Sequence, residues 1–112
     1  MSLDMTIEYK NPARPDCDHP FTNHEVMVGY WWPIARQLNL PLLERLETLV
    51  VTELDDAREL RRELAVVHAY LVDPAPSQLK ERADYMRERI GQVMPLLEQA
   101  IDEWDQVKEL WL

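Results

Sequence analysis

The chain has 112 residues, enough for one domain around one core, and its single cysteine rules out an internal disulfide. A net charge of −9, from 21 acids against 12 bases, is the wrong sign for nucleic acid or an anionic membrane surface. Apolar residues make up 46% of the chain, glycine occurs only as Gly29 and Gly91, and helix formers abound.

That balance predicts an all-α fold: a bundle of three long, partly kinked helices over residues 22–112, preceded by an extended N-terminal arm over residues 1–21. Pro12, Pro15 and Pro20 break any helix in the arm. Within it, Thr6-Ile7-Glu8-Tyr9 alternates weakly and can pair as a short strand or lie over a neighbour. The segment Met1 to Lys10 carries Asp4 and Glu8 and holds no signal-peptide core. With the lone thiol of Cys17, this sets a cytoplasmic expectation. Met5 is an alternative natural start.

The first helix is expected from Thr22 to about Leu38. Thr22 and Glu25 have the spacing of a capping box, and Phe21 and Val26 that of a hydrophobic staple. Its middle, Val26 to Trp32, is apolar nearly all round, which predicts burial on several sides or cover by a partner. The second helix is expected from Asn39 or Leu40 to about Val72, with apolar positions at Leu43, Leu46, Val50, Ala57, Leu60, Leu64, Val67 and Leu71. Glu53 falls on that seam, and Thr52-Glu53-Leu54-Asp55 can alternatively cap a second helix and split the first. Asp73-Pro74-Ala75-Pro76 ends the helix, and Ser77 caps the third.

The third helix is expected to run to the end of the chain. Its seam is Leu79, Ala83, Met86, Ile90, Val93, Leu97, Ala100, Trp104, Val107 and Trp111, alternating four and three without a skip. Pro95 is expected to bend it. A ten-residue echo places Gly29 four residues before Pro33, and Gly91 four before Pro95. Straight helices of these lengths would measure about 45 Å and about 55 Å, against roughly 35 Å for a compact chain of this size. The overhang predicts a homodimer.

Several groups of residues carry candidate chemistry. Asp16, Cys17, His19 and His24 fall close together and include the ligand types that zinc accepts, although their spacing matches no standard finger. His68 lies in an apolar run and, with Glu53, Trp31 and Trp32, can line a ligand site between kinked helices; the plainer expectation for His68 is a bonded core histidine. No Glu-x-x-His pair accompanies it, so a di-metal carboxylate site is not expected. Glu98, Asp102, Asp105 and Glu109 are spaced four, three and four apart and form one line on the expected third helix. Acids near a helix C-terminus oppose its dipole, so another cause is needed to retain them. Docking of a basic partner is one such cause, and a plain solvated face is the other.

No nucleophile elbow, P-loop, dinucleotide fingerprint or zinc-protease motif is present, and no cofactor is implied. The expected function is protein–protein interaction: a small acidic adaptor, inhibitor or immunity-type protein that masks a basic partner. The alternatives are a ligand- or metal-binding enzyme or sensor, and a structural subunit of a larger assembly.

Overall fold

A computed structural model describes residues 2–72 and 80–112. It overturns the all-α bundle. The chain folds as mixed α and β, with helices packed on a four-stranded antiparallel sheet of order β2-β1-β4-β3. The strands are β1 (Ser2–Tyr9), β2 (Cys17–Asn23), β3 (Val50–Val51) and β4 (Val107–Trp111). The helices are α1 (His24–Val26), α2 (Trp32–Gln37), α3 (Leu54–Tyr70) and α4 (Lys80–Asp102).

The weak alternation noted at Thr6–Tyr9 extends over the whole of β1. Met5, Ile7 and Tyr9 point into the core, while Asp4, Thr6 and Glu8 face outward. Pro20 is tolerated in β2 because that strand lies at the sheet edge, where no ladder donor is required. Its carbonyl accepts from Arg89 Nη1 at 3.2 Å, which ties the edge to α4. The connection between β1 and β2 is held to the C-terminal segment. Arg14 pairs with Glu103 at 2.9 Å and stacks its guanidinium 3.6 Å from the Tyr9 ring centre.

The first expected helix is irregular, and its cap lies one residue later than expected. Asn23 Oδ1, not Thr22, accepts from Val26 N at 2.8 Å. Thr22 is buried at the end of β2, and Glu25 instead approaches Arg82 at 3.7 Å. A π-helical turn, Met27–Trp31, joins α1 to α2, and the Trp32 N–H reaches back to the Met27 carbonyl. Pro33, which has no N–H to give, follows directly. The segment is not buried all round: Val26, Met27 and Trp31 are buried, while Val28 and Gly29 are exposed.

The second expected helix divides in three. A short 3-10 turn (Leu43–Arg45) is followed by β3, and only then does α3 begin. Glu53 is the residue before α3, with extended backbone and an exposed side chain. The expected α3 seam holds, since Ala57, Leu60, Leu64, Val67 and Leu71 are all buried. So does the first part of the α4 seam, from Ala83 and Met86 through Ile90, Val93 and Leu97 to Ala100. The helix then stops at Asp102. After a 3-10 turn (Trp104–Gln106) the chain becomes β4, with Val107, Leu110 and Leu112 buried and Trp111 outward. The expected loop and cap at residues 73–77, and Leu79 of the seam, lie outside the described residues.

At 17 and 23 residues, α3 and α4 measure about 26 Å and about 35 Å, and the molecule spans 46 × 27 × 21 Å. The overhang that motivated a second subunit is therefore not there. No helix among the described residues is long and apolar enough to cross a membrane.

Leu97 tests the packing of α4 on the core. It is fully buried, so Leu97→Ala should lower stability by about 2–5 kcal/mol in urea denaturation. A loss under about 0.5 kcal/mol would place it at a surface site instead.

Candidate functional site

Strand alternation gives the sheet one buried face and one open face. Across the open face the register sets Asp18, Thr6, Trp111 and Val50 side by side on β2, β1, β4 and β3. Trp111 and Val50 are each 46% exposed, two of the large apolar side chains left uncovered. Isolated exposed apolar residues are ordinary, but an adjacent Trp–Val pair across β4 and the edge strand β3 is a compact apolar spot.

Carboxylates surround that spot. Asp4 and Glu8 share the outward side of β1 with Thr6, and Glu109 stands directly opposite Glu8 on β4. Like charges facing each other across a ladder are unfavourable. Lys108 relieves Glu8 in part through a contact of 3.3 Å. Asp18 accepts the Thr6 hydroxyl at 2.7 Å. A β-bulge between Glu8 and Tyr9 sets Lys108 and Glu109 as consecutive surface residues between buried Val107 and Leu110.

At the β3 end the open face deepens into a hollow of about 320 Å³, whose walls include Trp111, Val50, Asp4 and Glu47. A smaller hollow of about 140 Å³, lined by Ser2, His24 and Met27, adjoins it through Leu3 and Glu47. Glu47 has a φ of 85°, in the left-handed region that glycine favours. Its N–H donates to the Leu112 carbonyl at 3.1 Å, and the Leu112 N–H donates to the Leu49 carbonyl at 3.0 Å. Those bonds lace the loop to the end of β4 and fix the wall of the hollow.

The loop is anchored further back by Glu63, the one fully buried acid among the described residues. Its Oε1 accepts from Leu42 N and Leu43 N, both at 3.0 Å, where the 3-10 turn begins. Burial pushes the Glu63 carboxyl above its ordinary pKa, against the opposing pull of the two backbone donors.

The expected site residues disperse. Glu98 and Asp102 are exposed on α4, Asp105 lies in the 3-10 turn beyond it, and Glu109 is on β4, so they do not form one helical stripe. Only Glu109 belongs to the open sheet face. Trp31 is buried against Phe21 with ring centres 4.7 Å apart, Trp32 is half-buried, and Glu53 is exposed at the start of α3. His68 is exposed, not a core histidine, and borders a groove of about 280 Å³ with Ala65, Ala69, Ile90, Gly91 and Met94. Its described lining includes one titratable residue, His68, and none of Glu53, Trp31 or Trp32.

Asp16, Cys17, His19 and His24 are also separated in role. His19 Nε2 bonds Gln92 Oε1 at 2.9 Å, and His24 opens α1 at the smaller hollow. Cys17 starts β2, where burial and then neighbouring Asp18 push its thiol above the usual range and away from the reactive thiolate. Among the described residues, no three His, Cys, Asp or Glu side chains gather as a metal would require.

Sequence reasoning missed Trp111 as a surface residue and passed over Glu63. The second signal was present: Glu63 is three residues after Leu60 and four before Val67, hence on the buried side of α3. Comparison with protein-family models, with curated proteins and with solved structures gave no match.

Glu63 gives a pH test. Its pKa is raised in the fold, so its favourable contribution is complete below the unfolded value and is lost as pH rises through the folded one. Glu63→Gln keeps an acceptor for Leu42 N–H and Leu43 N–H and cannot titrate. In urea denaturation from about pH 4 upward, the wild type should lose stability relative to the variant as pH rises. A constant difference between the two would show that Glu63 titrates as an ordinary carboxyl.

Proposed function

We propose that this protein binds a basic protein partner through the open face of its sheet. The observation that carries this reading is the exposed Trp111–Val50 pair within a surround of Asp4, Glu8, Asp18, Glu47 and Glu109. A central aromatic inside a charged, solvated rim is how docking surfaces divide their work. The aromatic supplies affinity, and the rim supplies steering and selectivity. The sign of the rim selects lysine- and arginine-rich surfaces and repels acidic ones, in keeping with the net charge of −9.

In this reading the protein is an adaptor or inhibitor that masks the basic surface of its partner. Glu109 is the member of the acidic line Glu98, Asp102, Asp105 and Glu109 that takes part directly. The proposal places the protein in the cytoplasm, in keeping with a free Cys17.

The test is capture from native lysate with three baits: the wild type, Trp111→Thr and the double variant Glu8→Lys/Glu109→Lys. Threonine keeps a strand-compatible residue at position 111, and thermal melts should confirm that every bait is folded. The wild type should retain a basic protein that high salt releases. Trp111→Thr should weaken that binding by about 2 kcal/mol, the scale of an interface hot spot, and charge reversal should abolish it. Equal retention by all three baits would remove the open face from the interaction.

A further inference from the structure

The hollow at the β3 end of the open face has a more specific chemistry than the rest of that surface. One wall is the half-exposed indole of Trp111, with Leu3 and Val50 beside it. Two acidic residues, Asp4 and Glu47, are among its lining, and no lysine, arginine or histidine is among the described lining residues. Neither carboxylate makes a side-chain hydrogen bond or an ion pair among the described residues, whereas neighbouring Glu8 pairs with Lys108 and Asp18 accepts from Thr6. The hollow therefore offers an aromatic face, aliphatic contact and acidic side chains that no described cation pairs, within about 320 Å³.

We propose that this hollow is a socket for one arginine side chain of the basic partner. A guanidinium is planar and weakly hydrated, so it can lie on an indole while its N–H groups reach carboxylates. An ammonium group is a strongly hydrated point charge with no flat face to stack, and it gains less from the same surroundings. The methylene stem of arginine would cover Leu3 and Val50. The partner would thus present an arginine at the centre of its contact and not merely a diffuse positive patch.

The socket rests on the reading of the open face as the docking surface, and it can fail separately. The probe is the blocked tripeptide acetyl-Gly-Arg-Gly-amide, titrated into isotopically labelled full-length protein while the indole N–H resonance of Trp111 is followed by NMR. Matched peptides carry lysine or uncharged citrulline in place of arginine. The arginine peptide should shift the Trp111 resonance saturably, and the lysine peptide should bind about threefold or more weakly. The citrulline peptide should have no effect. Asp4→Asn/Glu47→Gln, folded by its melting curve, should weaken arginine binding by about tenfold.

No saturable shift, equal binding of lysine or citrulline, or undiminished binding by the double variant would each overturn the socket. If the captured partner still responds to Trp111→Thr and to Glu8→Lys/Glu109→Lys but not to Asp4→Asn/Glu47→Gln, the socket falls and the face stands. If it responds to none of them, both fall.

Discussion

The pairing of β1 with β4 is the constraint on which the rest of the molecule depends. These strands are neighbours at the centre of the sheet, and Lys108 reaches Glu8 from 100 residues away. Their inward residues, Met5, Ile7 and Tyr9 from one and Val107 and Leu110 from the other, form the floor on which α3 and α4 close the core. Their outward residues make up most of the candidate surface. One backbone ladder thus sets both the burial that stabilises the fold and the row of side chains left for recognition.

The surface also depends on parts that never reach it. Glu63 holds the start of the 3-10 turn to α3, and that turn leads into Glu47 and the loop laced to Leu112. Without an acceptor at Leu42 and Leu43, two backbone N–H groups would be buried unpaired, at about 1–3 kcal/mol each. A buried carboxylate is expensive to desolvate, yet it satisfies both donors through a single oxygen. The loop that walls the hollow is in this way specified from the opposite side of the core.

The helical part of the fold was legible because its period was intact. From Ala57 to Leu71, and from Ala83 to Ala100, every apolar seam position proved buried, with Glu63 the one buried residue of α3 outside the seam. Apart from the Thr6–Tyr9 part of β1, the strands were not legible, because bulges disguise their period. In β4 the extra residue separates buried Val107 from buried Leu110 by three positions, which imitates a helical repeat. In β2 a second irregularity buries Phe21 and Thr22 consecutively and erases alternation there. Some signals did point the right way. Acids crowding the end of α4 opposed its dipole, and Glu53 interrupted a seam where a new helix in fact begins. Of the candidate surface, only Glu109 and its acidic sign could be read in advance. Trp111 fell in phase with a helix that had already ended.

The strand order has a consequence for how the chain reaches this state. The β1–β2 hairpin and the α3–α4 pair rest on contacts between segments near in sequence, and such contacts form early. The central ladder joins segments 100 residues apart, and the entropy of closing so long a loop must be met before that contact stabilises anything. During synthesis β1 emerges well before β4, with Met5, Ile7 and Tyr9 on one side and an edge that stays unpaired until β4 is made. The strand that organises the finished sheet is therefore the one exposed longest to wrong pairing. Asp4 and Glu8 give the outward side of that strand like charges, which disfavour pairing of one copy with another.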